Sequence, residues 1–348
     1  MLNRILFIFF LLTVLLQLSF VIDDPFFKIT KKDVVLKIPK GFPKPNYSFS
    51  ENTITPEGFV LGRKLFYDTI LSLDNSVSCG TCHQQYAAFA HIDHSLSHGI
   101  KDRIGTRNVS ALQNLIWNKN FMWDGGINHI EVQPIAPITN KVEMAETMEG
   151  IIAKLSIRPD YKKAFFDAFN DSTITTERIM KSLTQFMGLM ISSNSRYDKY
   201  IAGKEKFTQA EKNGLDLFRS KCATCHKEPL FTDHSFRNNG ITPNPMLNDK
   251  GRAIITANET DKYKFKVPSL RNVELTYPYM HDGRFRNLNE VINHYAGSSK
   301  FSVGADEPIL QIGTLNKEQI QDLQSFLLTL TDKTFIYDRR FADPNFKR

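Results

Sequence analysis

Apolar residues recur at helical spacing in several separated stretches, and no multi-strand alternation appears anywhere. Thr55-Pro56-Glu57-Gly58 reads as a helix start, with proline in the first turn, and Phe59, Leu61, Leu65 and Phe66 follow at near-helical spacing. The stretch from Asn108 to Trp117 predicts another helix. Met148–Leu155, Tyr161–Phe169 and Thr176–Ser192 predict three more, with Asp160-Tyr161 and Thr175-Thr176-Glu177 as starts. Thr208-Gln209-Ala210-Glu211 is close to a capping box and leads into Ala210, Leu215 and Phe218. Lys317 to Leu330 is the last clear helix. The intervening segments are polar or broken. Asp23 to Glu57 reads as an extended lead-in interrupted by Pro39, Pro43 and Pro45. Gln84 to Arg107 reads as a loop, and Phe121 to Gly126 as a turn with large aromatics. Ser193 to Lys206 makes the best boundary. The pattern predicts an all-α chain with one domain over 23–200 and a second over 201–348.

Composition narrows this only a little. The chain has 348 residues, 41% hydrophobic and 23% charged, as a soluble globular protein does. Its net charge of +7 comes from Lys and Arg scattered among acids. The longest basic cluster, Lys28 to Lys40, is broken by Asp33, so nucleic acid is not an expected partner. A mildly basic surface suits an acidic redox donor instead. The 27 phenylalanines fit either a bound apolar group or an ordinary core. Residues 1–22 have Arg4 and then an apolar run, the outline of a secretory signal peptide. Ser19-Phe20-Val21 is a poor cleavage site, which keeps an uncleaved N-terminal anchor as the alternative. Both readings export the rest of the chain, and a periplasmic location is expected.

The candidate chemistry lies in Cys79-Gly80-Thr81-Cys82-His83 and its second copy, Cys222-Ala223-Thr224-Cys225-His226. Two thiols two residues apart, followed at once by a histidine, are the attachment signature of a c-type haem. The two copies use all four cysteines. A zinc site would want its pairs ~15–20 residues apart, whereas these are separated by more than half a domain. A thioredoxin-like pair lacks its βαβ context, and structural disulfides leave the two histidines unexplained. Two covalently bound haems are expected, with His83 and His226 as proximal iron ligands. What fills the opposite position on each iron decides its task.

Further segments carry a resemblance. Gly105-Thr106-Arg107-Asn108, Phe121-Met122-Trp123-Asp124-Gly125, Gln133-Pro134-Ile135 and Val142-Glu143-Met144 follow the first motif. Phe265-Lys266-Val267-Pro268-Ser269-Leu270-Arg271-Asn272 and Thr276-Tyr277-Pro278-Tyr279-Met280-His281-Asp282-Gly283 follow the second. In this order, from about Gly62 to Tyr295, they resemble the bacterial di-haem cytochrome c peroxidase and MauG family. The resemblance implies two cytochrome c-like domains with the haems near their interface. Peroxide reacts at the N-terminal haem, and the C-terminal haem receives electrons. It also implies that Trp123 lies between the haems, that Glu143 is the distal-pocket acid, and that Gln133 is the distal amide. A positioned carboxyl can take a proton from one peroxide oxygen and return it to the other. His98 matches the histidine that caps the first iron at rest in many members, with His91 and His94 close enough to compete. Tyr295, fourteen residues after His281, matches the distal ligand of the second haem, with Met280 as its rival. Asn108, Thr276 and Pro278 match a calcium site.

The expected function is reduction of hydrogen peroxide to water, with electrons from a small redox protein such as cytochrome c or a cupredoxin. A MauG-like oxidase acting on a protein side chain is the alternative within catalysis, and a di-haem electron carrier is the alternative outside it. The resemblance also brings a homodimer, which is common in the family.

Overall fold

The computed structural model describes residues 28–297 and 304–345, so the expected signal peptide or anchor over 1–22 lies outside the described residues. Among those residues no helix is long and apolar enough to cross a membrane.

The longer helices are α1 (Pro56–Tyr67), α2 (Met148–Ser156), α3 (Pro159–Phe169), α4 (Thr176–Gly188), α5 (Gln209–Lys221), α6 (Leu288–Ala296) and α7 (Lys317–Leu328). Their starts follow the cap residues. Thr55 Oγ1 accepts the Gly58 N–H at 3.0 Å, and Thr208 and Glu211 complete a reciprocal capping box at α5.

The two halves share a frame. α1 crosses α4 at Gly62, where a Cβ would stand 1.9 Å from the Ser182 carbonyl oxygen. α5 crosses α7 at Gly214, where a Cβ would stand 2.0 Å from the Asp322 carbonyl oxygen. Glycine at each crossing lets backbone approach backbone. Phe59, Phe66, Phe89 and Phe186 fill the first core. Tyr197, Phe218, Phe231 and Phe326 fill the second. The chain's end returns to the first core through Phe335, Ile336 and Phe341.

One expectation needs correction. Asn108 to Trp117 is not an α-helix; only a 3-10 turn forms, over Leu115–Trp117. Asn114 sits in the left-handed region at φ 58°. Its amide and carbonyl oxygen bond Ser192, and its N–H bonds the Met190 carbonyl at 2.8 Å. Tertiary partners therefore outweigh the apolar period. Within Ser193 to Lys206, Arg196–Ile201 forms a short helix with a capping box at Ser195 and Asp198. Two short strands, Phe236–Arg237 and Phe265–Lys266, pair antiparallel; two residues each are too few for alternation to register.

That short helix packs with the second core through Tyr197, and Arg271 links it to the lead-in of the first half. Arg271, fully buried, makes a bidentate pair with Asp198 at 2.8 and 2.9 Å and stands 4.8 Å over the ring of Phe42 from the lead-in. Burial works against the Asp198 charge, but Arg271 overrides it and holds the carboxyl below its ordinary range.

Candidate active site and cofactor cavities

The first attachment motif forms one helical turn, Cys79–Cys82, whose N-terminus is closed by a capping box between Ser78 and Thr81. His83 then leaves the turn, with Nδ1 2.8 Å from the Phe89 carbonyl oxygen. In the second motif, at the end of α5, His226 Nδ1 lies 3.1 Å from the Phe231 carbonyl oxygen. Phe89 and Phe231 both take positive φ, 62° and 55°. A ring whose Nδ1 donates to a carbonyl keeps Nε2 free as a metal donor. Burial keeps both imidazoles neutral, lowering His83 to about 4 and His226 in the same direction.

A cavity of about 250 Å³ opens beside the second motif. Cys222, Cys225 and His226 form part of its wall, and Ile292, Leu323 and Leu327 are among its apolar lining. Its charged lining is Lys221, Arg237 and Lys266, with no Asp or Glu among the described lining residues. Arg237 Nε is buried without a hydrogen-bond partner. Burial alone lowers Lys266 to about 8. Arg237 pairs loosely with Asp233 and Asp306, both at 3.9 Å; two thiols, an imidazole, apolar walls and a cationic lining fit a porphyrin carrying two propionates. Tyr295, on α6, and Met280, at φ 73°, both line this cavity. Burial pushes the Tyr295 phenol up to about 12.

The first motif has different neighbours. Cys82 Sγ lies 3.5 Å from the His98 carbonyl oxygen. The Ile100 N–H donates to the Glu143 carbonyl at 2.8 Å. A Cβ on Gly99 would stand 2.3 Å from the Val142 and Glu143 carbonyl oxygens, so these two segments meet backbone to backbone. This brings His98 and Glu143 to the first attachment turn. Burial raises the Glu143 carboxyl above its ordinary value, against a hydrogen bond from Ser97 Oγ at 3.4 Å. The His98 ring stacks on His94 at 4.1 Å, and His94 lies 5.3 Å from His91.

Trp123 reaches the second cavity from the first half of the chain. Its indole N–H donates to the Asn108 carbonyl at 2.9 Å, its own carbonyl accepts the Lys266 N–H at 2.7 Å, and it lines the second cavity. Gln133 turns its amide towards Met122 Sδ at 3.9 Å, beside Trp123 in sequence. Asn108, Thr276 and Pro278 also line the cavity; Asn108 Nδ2 donates to the Ser95 carbonyl at 2.9 Å, which leaves Oδ1 for another partner.

Sequence reading gave no role to Ser97, Asn239, Arg237 or Lys266. Lys266 had a signal, a lysine between Phe265 and Val267 in a segment already singled out. Ser97 and Asn239 are brought in by loops, and Arg237 by the two-residue strand Phe236–Arg237.

Comparison with known proteins covers both halves. The family described as di-haem cytochrome c peroxidase matches residues 56–206, and the cytochrome c family matches residues 211–331. The cytochrome c551 peroxidase of Nitrosomonas europaea is 33% identical over 290 residues, 80% of this chain and 82% of that protein. The methylamine utilization protein MauG of Methylorubrum extorquens is 32% identical, over 84% of this chain and 82% of that one. The crystal structure of a MauG-like protein associated with microbial copper homeostasis superposes with a TM-score of 0.81 at 31% identity, covering 88% of this chain and 98% of the other.

Proposed function

The chain belongs to the di-haem cytochrome c peroxidase and MauG family, and from that membership we propose that it reduces hydrogen peroxide to water at the site beside Cys79–His83. When bound, the two haems supply the electron store and the iron that takes peroxide, so that one peroxide, two electrons and two protons leave as two waters. The observation that carries the assignment of sites is the partly buried Glu143 carboxyl next to the first attachment turn, with no Asp or Glu in the described lining of the second cavity.

Glu143 accepts the proton of one peroxide oxygen and hands it to the departing one. Burial suits it to this task, because a raised carboxyl holds its proton nearer to neutral pH. Ser97 Oγ holds the carboxyl in place. Gln133 orients peroxide and water from the Met122 side. His98, whose carbonyl touches Cys82 Sγ, closes the first site at rest and swings away before peroxide enters. Trp123, fixed at both its indole and its carbonyl, provides the electron path between the sites.

Electrons enter from a small redox protein, cytochrome c or a cupredoxin, on the side of the second cavity. Asn108 Oδ1 and the carbonyls of Thr276 and Pro278 hold a calcium ion between the halves. The protein works in the periplasm as a homodimer, its domains meeting near residue 200.

A second reading, oxidation of a protein side chain, is favoured by Tyr295 on the cavity wall, since a phenol ligand stabilises oxidised iron. Turnover of peroxide with reduced cytochrome c separates the two. Rapid turnover supports the peroxidase, and slow turnover with a surviving oxidising state supports the oxidase. No reaction with peroxide in either the reduced or the half-reduced protein would leave an electron carrier.

A further inference from the structure

The second cavity carries two candidate distal ligands, and one residue touches both. Asn239 follows the strand Phe236–Arg237 and lines the cavity with Met280 and Tyr295. Its Nδ2 donates to Met280 Sδ at 3.3 Å, and its amide works against burial to hold the value of the nearby Tyr295 phenol down. Its Oδ1 accepts the Ile241 N–H at 3.4 Å, which turns the NH₂ end towards the ligands. Its carbonyl oxygen lies 2.9 Å from His294 Nε2, and His294 precedes Tyr295 on α6. The turn itself is fixed, because Asn238 Oδ1 accepts the Gly240 N–H at 3.0 Å and the Asn238 carbonyl accepts the Asp306 N–H at 3.0 Å.

An NH₂ group has two hydrogens to give. One directed at a thioether draws on one of the sulfur's two lone pairs and makes the sulfur a weaker donor to iron. One directed at a phenol oxygen supports the negative charge that this oxygen carries as a ligand. The two effects favour the same outcome. The geometry points to Asn239 as the positioning residue that selects Tyr295 over Met280 as distal ligand of the second haem, and so holds that haem at low potential. This rests on the proposal above that one of the two residues is the ligand, and a low potential there favours the second reading, the oxidase, over an electron-storing haem.

The test compares the holoproteins Asn239→Leu, Asn239→Gln, Tyr295→Phe and Met280→Leu with the parent. The readouts are the optical and EPR spectra of the oxidised second haem and its reduction potential. Asn239→Leu should lose the phenolate-to-iron charge-transfer band and gain thioether character. Its reduction equilibrium should shift at least tenfold towards the reduced form, about 59 mV for one electron. Asn239→Gln, which keeps a donor, should retain the band. If Asn239→Leu binds little haem, Asn239→Asp carries the same expectation, because it replaces the donor with an acceptor. An unchanged spectrum and potential in Asn239→Leu, with the band lost in Tyr295→Phe, overturns the role of Asn239 alone. If neither Tyr295→Phe nor Met280→Leu alters the second haem, the ligand pair is wrong and the selection falls with it.

Discussion

Each half carries a helix pair crossed at a glycine, a Cys-x-x-Cys-His turn, and a histidine tied to the carbonyl of a left-handed phenylalanine, Phe89 in the first half and Phe231 in the second. Beyond this frame the two sites diverge. Around Cys79–His83 lie a partly buried carboxyl, a hydroxyl and a histidine loop. Around Cys222–His226 the charged lining is cationic, and the polar groups nearest the candidate ligands are the amide of Asn239 and the phenol of Tyr295. Under the proposed function, one frame would serve two tasks: a group that can move protons suits bond cleavage, whereas cations and a hard ligand would set a potential.

The sharpest way to break the contrast is Glu143→Gln. Loss of a positioned acid and base should lower peroxide turnover about 10²–10⁴-fold, with haem content and the second haem's spectrum unchanged. Steady-state and single-turnover assays read this directly, and near-normal turnover would remove Glu143 from the chemistry and with it the distinction between the sites.

Next in size is the joint between the halves. Arg271→Ala leaves Asp198 buried without its partner, which should cost about 3–5 kcal/mol. Denaturant unfolding of the holoprotein should show a single transition at lower midpoint if the halves unfold together. An unshifted midpoint would mean that the pair does not join them.

The shared frame can be tested by symmetry. Gly62→Ala and Gly214→Ala each push a methyl into a facing carbonyl, at an expected cost of about 1–3 kcal/mol each. Thermal unfolding should show comparable losses; a loss in only one would mean that the crossings are not equivalent.

The smallest effect is a difference in pH response. Burial raises the folded Glu143 value above its ordinary 4.5. Between those two values the folded state binds more protons, so this group's stability contribution falls as pH rises. Asp249 goes the other way: burial opposes its charge, but Arg107 holds it below its ordinary 3.8. Its contribution is present above 3.8 and is lost as pH falls through the folded value. Melting temperature against pH should therefore flatten on the neutral side for Glu143→Gln and on the acid side for Asp249→Asn. Parallel profiles would contradict these environments.

Much of the frame was legible in the chain because its signals are local. Thr55 and Thr208 announce helices α1 and α5, and each attachment motif is five contiguous residues. Helix α6 was legible too, with Asn287 as cap and Leu288, Val291, Ile292 and Tyr295 at helical spacing, yet it escaped the sequence reading. The surroundings of the sites were not legible in the same way. Ser97 meets Glu143 across 46 positions and Asn239 meets Met280 across 41, and no periodicity encodes such contacts. Asn108 to Trp117 failed as a helix for the same reason, because Asn114 spends its backbone and side chain on distant partners.

The inequality of the two sites is tested most directly by EPR on the half-reduced holoprotein before and after addition of cyanide, which binds an open ferric haem without transferring electrons, with Tyr295→Phe identifying the signals of the second haem. The expected result is a cyanide-induced change confined to the signal that Tyr295→Phe leaves untouched. A change confined to the signal that Tyr295→Phe shifts would locate the chemistry beside Cys222–His226 and contradict the account.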